Sequence, residues 1–284
     1  MTSGPVAVRL RLDIAYDGTS FSGWASQPDR RTVQGTVEAA LARVLGLDSC
    51  PDPAPRLTVA GRTDAGVHAH GQVAHVDVPT QALTGVDMRT LVRRLAGVLP
   101  ADVRVRSADR APEGFDARFS VLARRYTYSL CDGPAGVDPL RRHEVLWHRR
   151  VLDVDAMDAA ARLLEGEHDF AAYCRRREGA TTLRRLLRYR WSRTGDGLLV
   201  ADVEADAFCH NMVRAIVGAV VAVGEGRRSR RWPADVLARG VRDPAVTVVA
   251  PHGLCLVEVR YPPDDELAAR ARATRRLRAP RGRG

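Results

Sequence analysis

The N-terminal half of the chain changes hydropathy period in a set order, and that order restricts the possible fold. Val6 to Tyr16 alternates apolar and polar side chains and runs into Asp17-Gly18, the pattern of a half-buried strand entering a turn. Thr32 to Leu45 switches to helical spacing, with Val33, Val37, Leu41 and Val44 on one face and Gly46 as the stop. Leu57 to Arg62 and Val73 to Val78 read as strands. Asp87 is placed to cap a helix that runs through Val98 and ends at Pro100, and Val103 to Ala108 reads as a further strand. The order β-α-β-β-α-β is ferredoxin-like.

The second half repeats this more loosely. Ser120 to Cys131 reads as a strand and Asp153 to Leu164 as a helix with Met157, Ala160, Ala161 and Leu164 inward. Leu183 to Ser192 and Leu198 to Ala205 read as strands joined by Thr194-Gly195-Asp196-Gly197. Met212 to Val223 is a nearly all-apolar helix, which predicts burial. Pro233 to Gly240 reads as a short helix and Leu254 to Tyr261 as a closing strand. The fold predicted is α+β, with two related ferredoxin-like or RRM-like halves whose antiparallel sheets flank a cleft. The halves are expected at 1–112 and 113–263. An Arg-rich tail follows at 264–284, expected to be disordered because Ala268 to Gly284 has few apolar residues.

Between the strands at 57 and 73 lies AGRTDAGVHA, Ala60 to Ala69. Gly61 and Gly66 flank a single carboxylate, Asp64, and tolerate the turns needed to lift a side chain from a strand end. Arg62 precedes Asp64 by two residues, so in extended chain both point to one face, and a carboxylate beside a permanent cation stays ionised. Asp in such a turn also serves simply to cap its own backbone. The local spacing leaves both roles open.

Charge narrows the partner class only through its distribution. The formal net charge is +10, but Ala268 to Gly284 carries seven arginines and no acid, leaving the rest near +3. Every basic residue is Arg. Clusters at Arg124-Arg125, Arg141-Arg142, Arg149-Arg150, Arg175-Arg176-Arg177, Arg184-Arg185 and Arg227 to Arg231 have the form of phosphate-binding patches, and equally of solvated faces. No apolar run reaches membrane-spanning length, and the first residues lack a signal-peptide pattern. The five cysteines are scattered and odd in number, so neither a zinc ribbon nor a disulfide framework is predicted. A reducing cytoplasm is the expected location. His68, His70 and His75 lack a matching ligand set and read as structural.

AGRTDAGVHA followed by GQVAHVD resembles the signature of the tRNA pseudouridine synthase A family. YDGTSFSGWASQ, RTVQGTVEAAL, FDARFSVLARRYTY, GEHDFAAYC, ADAFCHNMVRAIVG and HGLCLVEVRYP extend the resemblance over roughly residues 9–262. It implies isomerisation of uridine to pseudouridine in the tRNA anticodon stem-loop, at uridines 38, 39 and 40, by a homodimer without metal or cofactor. Asp64 would be the nucleophile, attacking the uracil ring or the sugar carbon or starting an elimination at the sugar, and Arg62 would keep it charged and fill the gap left by the flipped base. Tyr126 would stack on the uracil, and Leu254 and Leu256 would wall the pocket. Phe115, Asp116, Ala117, Arg118 and Phe119, with Arg175, Arg176 and Arg177, would contact tRNA. Arg214, which shares a helix face with His210, would line the cleft.

Two other functions compete on sequence. A non-catalytic RNA-binding protein of two RRM-like halves would need aromatic RNP patterns on its central strands, and only 5% of this chain is aromatic. A glycosidase-like hydrolase needs a pair of placed carboxylates, and only Asp64 stands out.

Overall fold

The computed structural model describes residues 7–47, 54–175 and 181–278. They fall into two compact units. One holds Met1–Leu122 with Glu258–Gly284, the other Ala123–Val257. The division therefore falls at 122/123 rather than 112/113, and the C-terminal residues belong with the first unit.

In the first unit the alternation of the N-terminal segment forms β1 (Ala7–Tyr16). It is followed by α1 (Val33–Val44), β2 (Thr58–Val59), β3 (His68–Pro79), α2 (Met88–Val98) and β4 (Val103–Arg110). The Thr32 side chain accepts the Gly35 N–H at 3.3 Å and caps α1, and Asp87 accepts the Thr90 N–H at 2.7 Å and caps α2. The sheet order is β4-β1-β3-β2, and each of these pairings is antiparallel. Leu10, Leu12 and Ile14 of β1, Ala74, Val76 and Val78 of β3, Val37 and Leu41 of α1, and Leu91 and Leu95 of α2 are fully buried. Removing one of the leucines to Ala would cost about 2–5 kcal/mol. The strand expected over Leu57 to Arg62 is only two residues long, because the chain leaves the sheet into the bend at Ala60-Gly61.

The second unit contains β5 (Ala123–Cys131), β6 (Leu146–Trp147), α3 (Val154–Arg162), β7 (Gly166–Asp169) and β8 (Leu183–Arg193). It continues with β9 (Leu199–Ala205), α4 (Met212–Gly224), α5 (Trp232–Arg239) and the start of β10 (Leu254–Arg260). The order β10-β5-β9-β8 places its strands as the first unit places β4-β1-β3-β2, with β7 added at the edge and two-residue β6 parallel to β5. Each half thus has a strand–helix–strand–strand–helix–strand core, as its hydropathy order predicts. α4 is buried at every residue but Arg214, which accounts for its lack of a polar face.

The expected disordered tail is corrected at 264–278, and 279–284 lie outside the described residues. Leu267–Arg278 forms a helix, α6, with Leu267, Ala271 and Thr274 buried at a spacing of four and three. That stripe of small and apolar side chains is enough to dock one face of an otherwise arginine-rich helix. No helix among the described residues is long and apolar enough to cross a membrane.

Candidate active site

Asp64 lies in the irregular segment between β2 and β3, half-buried, with exposed Arg62 and buried Thr63 before it. Arg62 and Asp64 are both more exposed than Thr63, as expected if Thr63 points inward between them. The segment turns at Ala65-Gly66, where Gly66 has φ 76° and the Val67 N–H donates to the Asp64 carbonyl at 3.2 Å.

The residues after β1 cradle this loop. The Trp24 N–H donates to the Thr63 carbonyl at 3.1 Å, and the Gly18 N–H donates to Nδ1 of His68 at 3.0 Å. A Cβ at Gly18 would lie 2.1 Å from the Val67 carbonyl oxygen. One at Gly23, where φ is +95°, would lie 3.0 Å from the Thr63 oxygen and 3.3 Å from the Asp64 carbonyl carbon. Both positions need glycine because backbone meets backbone there.

A buried polar chain fixes the loop from beneath. The Gln72 amide donates to the Gly61 carbonyl at 2.8 Å and to the Tyr16 hydroxyl at 3.2 Å, and the Tyr16 hydroxyl lies 2.7 Å from Thr63 Oγ1. Either hydroxyl of the Tyr16–Thr63 pair can donate to the other. A satisfied network of this kind rigidifies what it holds. Tyr16, Gly18, Gly23, Thr63 and Gln72 were not among the site residues predicted from sequence. The glycines of YDGTSFSGW were the signal available for two of them.

In the second unit, Tyr126 on β5 is buried and meets Phe208 edge-on, ring centroids 5.2 Å apart. Tyr128 shares its face, as strand alternation predicts, and donates to the Ala250 carbonyl at 2.7 Å. Leu254 and Leu256 are buried on β10. Arg214 is half-buried at the start of α4 and donates through Nε to the Val249 carbonyl at 2.7 Å.

The 115–119 segment, in the first unit, divides sharply. Phe115, Asp116 and Ala117 are buried, whereas Arg118 is exposed and Phe119 half-buried. The buried residues shape the loop. Asp116 Oδ1 accepts the Arg118 and Phe119 N–H groups, each at 2.9 Å, and the Ala117 N–H donates to Nδ1 of His75 at 2.9 Å. Burial pushes the His75 pKa down to about 4, with the Arg9 guanidinium adding to the shift. The imidazole is therefore neutral near pH 7, as an Nδ1 acceptor must be. Arg9 in turn grips Asp77, its cross-strand partner, with two bonds of 2.7 Å.

Arg175 is exposed, and its N–H donates to the His210 carbonyl at 3.0 Å. Arg176 and Arg177 lie outside the described residues. Several of the other arginine clusters are taken up within the protein. Arg141 pairs with Glu144 and Asp196, Arg125 and Arg188 with Asp202, and Arg193 with Asp132. Arg184 turns its guanidinium to the Thr181 and Leu183 carbonyls. The cysteine spacing predicts no disulfide framework and gives no sign of a single disulfide. Cys174 and Cys209, 35 residues apart in sequence, form one with Cα atoms 5.8 Å apart, where the turn before Arg175 meets the loop entering α4.

Comparison with known proteins places this arrangement in a family. The family model described as tRNA pseudouridine synthase matches residues 14–120 and 160–262. That span takes in the Asp64 loop, its glycine cradle and the 115–119 segment. A protein of Frankia casuarinae named tRNA pseudouridine synthase A is 64% identical over 280 residues, covering 99% of this chain and 98% of the relative. Proteins of the same name from Streptomyces griseus and Mycobacterium leprae are 60% and 50% identical. They cover 99% and 96% of this chain, and 97% and 96% of their own lengths. The chain belongs to the tRNA pseudouridine synthase family and is an isomerase acting on tRNA.

Proposed function

We propose that this enzyme converts uridines 38, 39 and 40 of the tRNA anticodon stem-loop to pseudouridine, with Asp64 as the nucleophile. The reaction breaks the N1–C1′ bond and makes a C5–C1′ bond. The C5 proton is lost and one proton is taken up at N1, so nothing is oxidised or reduced and no atom is gained. A carboxylate can carry this by forming a covalent bond to the ring or to C1′ and being released as the new bond closes. The observation that carries the reading is the Asp64 loop itself. One carboxylate is held half-buried on a turn that two glycines and a buried Tyr-Thr-Gln chain allow little room to move.

The remaining roles follow from residue chemistry and exposure. Arg62 is exposed and planar, suited to stack where the target base leaves the helix. Tyr126 would stack on the uracil, with Leu254 as apolar wall and Arg214 lining the site. Arg118, Phe119 and Arg175 would meet the tRNA backbone, together with Arg176 and Arg177; such contacts position RNA without reading its sequence. We place the enzyme in the cytoplasm, acting as a homodimer on one tRNA.

Carbodiimide mapping of tRNA incubated with the pure protein tests the proposal. Stops at 38, 39 and 40, absent from a mock reaction, are expected. Stops elsewhere in the tRNA would overturn the assigned positions.

A further inference from the structure

α6 begins five residues after the span matched by the family model ends, yet it is docked on a loop inside that span. Gly114 has φ +73°, and a Cβ there would lie 2.5 Å from the Ala268 Cβ, so the loop and the helix meet almost backbone to backbone. Ser120 Oγ donates to the Leu267 carbonyl at 3.2 Å, and Arg270 Nε to the Val121 carbonyl at 3.1 Å. Arg275 Nη2 donates to Asp116 Oδ2 at 2.5 Å. The Arg275 guanidinium also lies 5.0 Å from the Phe119 ring centroid, and that of Arg118 lies 5.1 Å from the same ring.

The charges of this cluster do not cancel. Asp116 is the carboxylate that bonds Arg275, and Arg118 stands beside the same Phe119 ring as a second cation. Both Asp116 oxygens are occupied, one by the two loop N–H groups and one by Arg275. Burial alone would raise the Asp116 pKa, but those donors outweigh it and hold the group ionised. The other acids nearest in sequence are exposed Glu113, beside Gly114, and Asp264, Asp265 and Glu266 before α6; Glu266 is one turn from Arg270 but about 13 Å along the helix axis from Arg275 at 1.5 Å per residue. Two guanidinium groups are thus held beside one ring with a surplus of positive charge. A phosphodiester would relieve their repulsion and accept their remaining N–H groups.

We infer that α6 and the 114–120 loop form one phosphate-binding platform for the RNA backbone, in which Arg118 and Arg275 flank Phe119 and Arg275 positions the loop through Asp116. The inference rests on the tRNA reading and adds α6 to the substrate surface.

Filter binding of a full-length tRNA transcript to the full chain, across a potassium chloride titration, tests it. Arg118→Ala and Arg275→Ala should each weaken binding several-fold at moderate salt. Each should also flatten the slope of log K against log salt by about 0.7–0.9, the loss of one phosphate contact. Arg275→Lys should keep the slope while losing part of the affinity, because the charge remains and the planar group does not. Asp116→Asn separates binding from anchoring. It removes an anion and keeps the cations, so under the inference its slope is no flatter than wild type. If Arg275 served only to anchor the loop, Arg275→Ala would leave the slope at its wild-type value. Should Arg275→Ala fail to fold, Arg275→Gln takes its place, and a wild-type slope in whichever of the two folds overturns the platform. A wild-type protein that forms no pseudouridine would instead sink the tRNA reading, a result independent of these slopes.

Discussion

Gly18→Ala is the perturbation whose consequence can be worked furthest from the geometry. The added Cβ would stand 2.1 Å from the Val67 carbonyl oxygen and 2.5 Å from its carbon, whereas ordinary contact begins at 3.4 Å. Both partners are backbone, so no side chain can swing aside, and the two segments must part by about 1 Å. Val67 is tied to Asp64 through the turn hydrogen bond of 3.2 Å, so the displacement reaches the carboxylate. Misplacement of a reacting group by about 1 Å costs about 10²-fold in rate, which corresponds to roughly 2.7 kcal/mol of barrier. Overpacking should also lower stability by about 1–3 kcal/mol.

The assay is single-turnover pseudouridine formation on saturating stem-loop RNA, with a thermal melt to confirm folding. Gly46→Ala is the control. Its φ is +67°, so it too is strained, but nothing lies within 4 Å of the added Cβ. It should lose about 1–2 kcal/mol of stability and keep its turnover. A folded Gly18→Ala enzyme within threefold of the wild-type rate would refute the argument that the glycine cradle sets the position of Asp64.

Other perturbations address separate parts of the account. Arg62→Lys keeps the charge and loses the planar fork, so single-turnover rates should fall well below wild type; a near-wild-type rate would reduce Arg62 to a charge beside Asp64. His75 supplies a pH test. Its folded pKa of about 4 lies below the unfolded value near 6.5, so the unfolded chain binds the extra proton first. Stability should therefore fall as pH is lowered from about 6.5 to about 4. Denaturant melts across that window check this, and His75→Gln should flatten the dependence. Turnover on prefolded stem-loop RNA should persist in EDTA, since no step calls for a Lewis acid; loss of turnover with the RNA still folded would contradict the mechanism.

How much of this was legible in the sequence depended on whether a segment's own pattern decided its structure. The strands and helices of both halves announced themselves through period and caps. Thr32 and Asp87 cap as expected, and the burial of α4 follows from its composition. β6 and β7 carry no usable period, being two and four residues held by their neighbours. α6 was hidden by its arginines, because composition alone gives no weight to a three-residue stripe at Leu267, Ala271 and Thr274. Asp64 stood out because glycines mark an unusual backbone. Tyr16 and Gln72 did not, since their role depends on contacts across 47 and 11 residues to Thr63 and Gly61. Phe115 to Ala117 lay in a motif whose resemblance pointed to RNA, and their burial follows from packing that the motif itself does not spell out. The Cys174–Cys209 pair was invisible because sequence spacing says nothing about which loops meet.

The central claim is that Asp64 is the nucleophile, and Asp64→Asn tests it most directly. The substitution is nearly isosteric, so the loop, its hydrogen bonds and the grip on RNA should survive, while the amide is a far poorer nucleophile. The measurement is paired: filter binding of tRNA, and pseudouridine yield after long incubation, with mass spectrometry to exclude deamidation back to Asp. The account predicts binding close to wild type and no detectable pseudouridine. An Asn variant that binds and still forms pseudouridine at a comparable rate would contradict it.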